Sequence, residues 1–350
     1  MINENPVLAL WPHFVDAARE GAVAGWATSG QGNKDRSDDA AVQAIRKKFN
    51  TIPMCGKIVI GEGERDDAPM LYIGEKVGLG HQEGRCADDF PGIAIAIDPL
   101  EGTTPCSRGE NGAISVIAWS EEGGIIEAAD GYMEKLVVGP SSKGKVRLDW
   151  PVARNLQAIA DGLRRPVSAL VIAVLDRARN QPTIDAIRQT DAKVKLIDDG
   201  DLSEAINAMV AGKHLHAVMG SGGAPEGHIT AAVALGLNGE IQGRYLHPDE
   251  LKEFPRDRGK IPDNFCERMQ EMGIEFGRIY STRELAPGRS FGVAFVNVTD
   301  GVLDGHAVRD FTNGCSVSWT VITHHDGRST MIPSAEFIEI TDPQTAFRLR

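Results

Sequence analysis

The stretch ALVIAVLDRARNQPTIDAIRQTDAKVKLIDDGDLSEAINAMVAGKHLHAVMGSGGAPEGHITAAVALG, residues 169–236, alternates short apolar runs with longer amphipathic ones. Residues 170–175, 194–197 and 216–219 have the length and apolar content of buried strands. Residues 181–189, 202–211 and 225–235 follow them in turn with helical spacing. Parallel neighbours need a crossover segment between them, so this rhythm predicts an α/β fold with a mainly parallel sheet covered by helices.

The flanking chain fits the same class. Apolar spacing predicts a helix over 6–28 and a second from Asp35 or Ser37 to about Phe49. Strands are expected at 57–60, 93–97 and 113–119, and a last group at 292–296, 318–323 and 337–340. The segment GPSSKGK at 139–145 reads as a linker. It divides the chain into an α+β half (1–145) and an α/β half (146–350). Strand-like runs stop at Glu62, at Asp98 and at the Gly-rich turn 220–226, and sites in α/β sheets gather at such carboxyl ends.

The 350 residues include 49 acidic and 37 basic side chains, a formal net charge of −12. That balance excludes a protein built to coat nucleic acid or a polybasic membrane binder. It leaves room for a phosphorylated ligand, because metal ions reverse the local sign. No run approaches the ~18 apolar residues of a membrane span. The N-terminus MINENP lacks the basic flank of a signal peptide, so a cytoplasmic protein is expected. The five cysteines are widely spaced with no CxxC pair, so reduced thiols are expected, with neither a disulfide framework nor a zinc site.

Five clusters carry chemistry. In Asp98-Pro99-Leu100-Glu101-Gly102-Thr103 two carboxylates three apart can share one hard cation. Gly102 lets a phosphate approach the backbone, and Thr103 offers a hydroxyl to orient water. Gly61-Glu62-Gly63-Glu64-Arg65-Asp66-Asp67 packs four carboxylates into six residues, either a solvated loop or a metal loop. Asp35-Arg36-Ser37-Asp38-Asp39 is explained by helix capping alone. Gly220 to Gly227 is a strand-to-helix turn that can cradle phosphate or aim Glu226 at a metal, and it is neither a dinucleotide fingerprint nor a P-loop. Asp176-Arg177-Ala178-Arg179 offers two guanidinium groups to a phosphate, or is a solvated loop. Asp199-Gly200-Asp201, His324-His325 and Asn297-Val298-Thr299 read as a turn, a loop pair and an idle sequon.

Taken together, GKIVIGEGERDDAPMLYIGEKVG (56–78), AIDPLEGT (96–103), GYMEKL (131–136), DGD (199–201) and GGAPEG (222–227) resemble the class II fructose-1,6-bisphosphatases, among them enzymes that also hydrolyse sedoheptulose-1,7-bisphosphate. The DPxEGT element resembles the wider lithium-sensitive, metal-dependent phosphatases. The resemblance implies a layered α/β sandwich, two α/β halves with a metal site between them, assembled as a homodimer or homotetramer. It implies two to three Mg²⁺ or Mn²⁺ ions on Asp38, Glu62, Asp98, Glu101 and Glu226. It implies sugar-phosphate contacts from Glu101, Gly102, Thr103, Tyr132, Arg177, Arg179, Asp199, Asp201 and Gly223. Thr103, with Glu64 or Asp66 as proton acceptor, is the expected catalytic group. The expected reaction is hydrolysis of fructose-1,6-bisphosphate. A monophosphatase of the same superfamily and a non-catalytic sugar-phosphate binder are the alternatives. The chain departs from the family pattern at Thr104, Ala178, Asn180 and around Cys315, which bears on the sugar more than on the reaction.

Overall fold

The computed structural model describes residues 5–61, 70–86, 89–210, 214–301, 315–323 and 329–337. Along the chain run α1 (Trp11–Trp26), α2 (Lys34–Phe49), β1 (Cys55–Ile60), β2 (Lys76–Val77), α3 (Leu79–Glu83), β3 (Gly92–Glu101), α4 (Thr103–Arg108), β4 (Ile114–Glu121) and β5 (Tyr132–Val138). They continue as α5 (Val152–Leu163), β6 (Val171–Leu175), α6 (Gln181–Arg188), β7 (Lys193–Ile197), α7 (Asp201–Met209), β8 (Ala217–Gly223) and α8 (Ala224–Gly236). The last elements used below are β9 (Glu240–Tyr245), α9 (Pro255–Arg258), β10 (Ile279–Ser281), β11 (Phe291–Asn297), β12 (Cys315–Thr323) and β13 (Ser329–Phe337).

Two sheets form, in the orders β13-β12-β11-β4-β3-β1-β2 and β10-β9-β5-β8-β6-β7. The α/β class expected from the sequence stands, but the sheets are mixed, not mainly parallel. Among the described residues the parallel pairs are β1 with β3, β6 with β7 and β6 with β8. The strand–helix rhythm of residues 169–236 does build that last trio. Strands β5 and β9 join it antiparallel; their Glu134, Lys135, Gln242 and Arg244 broke up the apolar pattern that marks a strand. The final strand ends at Phe337 instead of starting there, and residues 338–340 lie outside the described residues. Within GPSSKGK, Pro140–Ser142 forms a single 3-10 turn with Ser142 buried and residues 143–145 exposed.

Strand β3 shows how the layers arise. Its period of two sends Ile93, Ile95 and Ile97 into a core shared with Phe14, Ile45 and Phe49 of α1 and α2. Ala94 and Ala96 face the opposite core, with Ile229 and Ala231 to Ala234 of α8 and with Val137 and Val218 of the second sheet. Small residues on both sides let α8 lie between the sheets, buried nearly all round, as its almost uniformly apolar sequence requires. The outer face of the second sheet packs Ile172, Val174 and Met219 against α5 and α6 through Leu156, Ile159, Ile184 and Ile187. The result is a helix–sheet–helix–sheet–helix sandwich. No helix among the described residues is long and apolar enough to cross a membrane.

The expectation of reduced thiols fails at one pair. Cys55 and Cys86, 31 positions apart in sequence, are joined, with Cα atoms 5.6 Å apart. The pairing depends on β1 lying beside the turn after α3, which residue spacing does not reveal. Cys106 and Cys266 are free thiols.

Trp119 on β4 stacks on Phe14 at 4.4 Å and its indole N–H donates to the Val7 carbonyl at 3.0 Å. Gly292 of β11 lies directly opposite. A Cβ there would come within 1.9 Å of the Trp119 ring, which has no room to retreat. Overpacking of this kind costs about 1–3 kcal/mol. Gly292→Ala should therefore lower the urea midpoint by that free energy divided by the slope, with the slope unchanged; an unaltered midpoint would contradict this packing.

Candidate active site

The site begins where β3 ends. The β3–β4 pairing slips between Asp98 and Glu101 around Pro99, so the two carboxylates leave the regular alternation. The Leu100 N–H donates to Asp98 Oδ1 at 3.0 Å and fixes that bend. Gly102 then takes φ +81, a left-handed conformation open to glycine, and starts α4 with Thr103 in its first turn.

Two other strand–helix junctions meet this bend. The Leu202 N–H at the start of α7 donates to Glu101 Oε1 at 2.8 Å. Reciprocally, Asp199 Oδ2 accepts from the Thr104 N–H at 3.3 Å and from the Thr103 hydroxyl at 3.5 Å. Buried Lys135 of β5 donates to Asp201 Oδ2 at 2.7 Å, and both side chains are nearly dry. Glu226 enters from the first turn of α8 and curls back over Gly223. A Cβ on residue 223 would sit 2.1 Å from Glu226 Oε2, so any larger residue would push that carboxylate from its place.

Ligand atoms of Asp98, Glu101 and Glu226 all lie within 4.8 Å of one another. Burial pushes the Glu101 carboxyl well above the usual range, reinforced by Asp98, Glu226, Asp201 and Asp199. Burial likewise raises Glu226 to about 7, with Lys135 opposing the rise. Glu226 Oε2 is buried without a hydrogen-bond partner. A cluster of carboxylates, Glu101 buried and Asp98 and Glu226 half-buried, with an orphaned oxygen fits an oxygen-seeking divalent cation, which would supply the missing positive charge.

These groups line a cavity of about 270 Å³ together with Asp38, Gly61, Gly102, Thr103, Asp130 and Asp199. The structure thus brings together Asp38, Asp98, Glu101 and Glu226 of the expected metal set. Glu62, and the expected proton acceptors Glu64 and Asp66, lie outside the described residues. So does His324-His325. Asn297 and Thr299 are buried, and Thr299 accepts from the Ala113 N–H, so the sequon is structural.

A second cavity, about 250 Å³, shares Glu101, Asp130, Asp199 and Glu226 with the first. It adds Tyr132, Arg177, Arg179, Asp201, Gly223, Asp257 and Lys260, so every expected sugar-phosphate residue lines one cavity or the other. Arg179 is already engaged. It pairs with Asp257 at 2.7 Å, donates to Ser221 Oγ and O, and lies 4.5 Å over the Tyr132 ring. The Tyr132 hydroxyl donates to Asp257 at 3.3 Å, and burial pushes its pKa up to about 12. Asn180 clamps Ser221 by accepting from its N–H at 2.7 Å and donating to its carbonyl at 3.0 Å. Arg177 donates to the carbonyls of Asp176 and Asp198.

Lys135, Asp130, Asp257 and Lys260 were not anticipated. Lys135 follows Glu134 in β5, so the two adjacent charges masked both the strand and the lysine's buried partner. Asp257 and Lys260 sit in the polar run PRDRGK, which gives no signal of its own.

Comparison with known proteins places this geometry. The chain matches the family described as bacterial fructose-1,6-bisphosphatase, glpX-encoded, over residues 8–335. It is 43 % identical over 295 residues to a D-fructose 1,6-bisphosphatase class 2/sedoheptulose 1,7-bisphosphatase 1 of Acaryochloris marina, covering 83 % of this chain and 85 % of that one. The D-fructose 1,6-bisphosphatase class 2/sedoheptulose 1,7-bisphosphatase of Synechococcus sp. (strain JA-3-3Ab) is 40 % identical over 336 residues, 95 % of each chain. The protein of that name from Synechocystis sp. is 39 % identical over 331 residues, covering 93 % of this chain and 95 % of that one.

The raised Glu226 carboxyl has a consequence for the metal-free chain. A folded pKa of about 7 above an ordinary 4.5 favours the protonated form, so its contribution is complete below about 4.5 and is lost as pH rises through about 7. In a chelator, the thermal midpoint should fall across that window, and more steeply than in Glu226→Gln. Equal slopes in the two proteins would contradict the buried, unpaired state of this carboxyl.

Proposed function

The chain belongs to the glpX-encoded bacterial fructose-1,6-bisphosphatases, and we propose that it hydrolyses fructose-1,6-bisphosphate to fructose 6-phosphate and phosphate with the help of divalent metal. Its relatives' names add sedoheptulose-1,7-bisphosphate as a second substrate to test. The observation that carries this reading is the meeting of Asp98, Glu101 and Glu226 in a cavity that shares four lining residues with one lined by Arg177, Arg179 and Lys260.

Two to three Mg²⁺ or Mn²⁺ ions would be held by Asp38, Glu62, Asp98, Glu101 and Glu226. When bound, such ions polarise phosphoryl oxygens and acidify a water. The protein's own groups do the rest. The Leu202 N–H holds Glu101 in place, and Asp199 holds the Thr103 hydroxyl where it would orient the attacking water. Glu64 or Asp66 would accept that water's proton. Tyr132 and Gly223 would border the sugar. Arg177 and Lys260 would meet the distal phosphate, and Arg179 would join them only by releasing Asp257. We place the enzyme in the cytoplasm as a homodimer or homotetramer, which light scattering on the purified protein tests.

Removing one metal carboxylate forfeits several kcal/mol of transition-state charge stabilisation, on the order of 10³-fold in rate. Phosphate release from fructose-1,6-bisphosphate should depend on Mg²⁺ or Mn²⁺ and fall by that factor in Asp98→Asn; unchanged turnover would sink the metal assignment. Arg177→Ala should raise KM for the bisphosphate about tenfold or more through a lost charged hydrogen bond, with kcat little changed. If it leaves KM unaltered and inositol-1-phosphate or a sugar monophosphate is turned over faster, the protein is a monophosphatase. No release from any of these substrates would mark it as a binder.

A further inference from the structure

The cysteine pair lies at the opposite end of β1 and β3 from the carboxylates. Cys55 pairs with Gly92 in the register that later brings Ile60 beside Ala96. Nδ1 of His81 is 3.2 Å from the Cys86 sulfur. Both sulfurs and a ring nitrogen of His81 lie within 4.8 Å of one another. A disulfide sulfur is at most a weak hydrogen-bond acceptor and does little to hold an imidazole beside it; a backbone hydrogen bond with Gly56 helps to set the ring there. Two thiolates and a neutral imidazole are, by contrast, the donor set of a borderline cation, at about 2.3 Å for sulfur and about 2.0–2.1 Å for nitrogen.

The main chain builds this cluster independently of the disulfide. The Leu79 N–H donates to the Ile52 carbonyl at 2.8 Å, the Gly80 N–H to Met54 at 3.1 Å, and the Arg85 N–H to Gly80 at 2.8 Å. Gly80 leaves the space that the sulfur needs, because a Cβ there would lie 2.4 Å from Cys55 Sγ. Reduction would therefore leave the three side chains gathered, with the sulfurs free to rotate apart. Burial and nearby Lys76 lower the His81 pKa and keep the ring neutral, the form that ligates. A cavity of about 820 Å³ reaches Cys55, His81 and Cys86 and gives an ion, with a water as fourth ligand, a way in.

We propose that Cys55, His81 and Cys86 form a redox-gated site for a borderline divalent cation, Zn²⁺ above all. The disulfide is the closed form. A dithiol supplies two electrons and two protons and leaves as its disulfide; a phosphine supplies two electrons, water supplies the two thiol protons and an oxygen, and the phosphine leaves as its oxide. Cation uptake then releases both protons and leaves a dithiolate–imidazole complex.

The test uses the full chain, reduced with a phosphine and freed of excess reductant. Added Co²⁺ should give the near-ultraviolet sulfur-to-cobalt charge-transfer band, and one equivalent of Zn²⁺ should remove it. Carboxylate-bound cobalt has no such band. Competition with a chromophoric chelator should show one more tight Zn²⁺ equivalent in the reduced chain than in the unreduced chain or in reduced Cys55→Ser. His81→Ala should still form the disulfide by mass but bind Zn²⁺ at least about tenfold more weakly. Absence of the band in the reduced chain, or equal Zn²⁺ uptake by reduced chain and Cys55→Ser, would overturn the proposal.

Discussion

Three carboxylates gathered at one cavity, buried Glu101 and half-buried Asp98 and Glu226, set the terms for the rest of this molecule. Like charges at that spacing cannot all ionise out of water without compensation. The protein supplies only part of it. Lys135 neutralises Asp201, the Leu202 N–H meets one oxygen of Glu101, and Glu226 Oε2 is left with no partner. The shortfall is the property that would select divalent cations. It also explains why burial raises both glutamates instead of a local base lowering them.

The sandwich exists, in this sense, to bring three strand–helix junctions to one point. The slip in β3 frees Asp98 and Glu101 from the sheet. Helix α7 offers the Leu202 N–H of its first turn to Glu101, and α8, buried on nearly every side between the sheets, drives Glu226 into the same space. The reciprocal bonds Glu101 to Leu202 and Asp199 to Thr104 lock the first sheet's bend to the second sheet's turn. Specificity would lie one step further out, where Asn180 fixes Ser221 and Ser221 fixes Arg179. Asn180 is a fully satisfied buried clamp, bonded to the Leu175 carbonyl and to Ser221.

Much of this was legible in the residues. The rhythm of residues 169–236 gave the α/β class and the parallel trio. The placement of Asp98, Glu101 and the Gly-rich turn at strand ends pointed at the site. Asp38 was hidden, because an acidic residue near a helix start is equally a cap, and the resemblance rather than the pattern singled it out. What stayed illegible depends on pairings between distant segments. Strands β5 and β9 carry charged residues that erase their periodicity. Asp257 reaches Arg179 from a polar surface run. Cys55 and Cys86 become neighbours only once β1 and the turn after α3 are laid side by side.

The central claim is that the buried carboxylates hold the metal. Binding of Mn²⁺, followed by electron paramagnetic resonance at pH 7.5, tests it most directly. The intact chain should bind Mn²⁺ with an affinity that falls at least about tenfold in Glu226→Gln, the loss expected when a ligand or its close support is removed. Equal affinity in the two proteins would contradict the account.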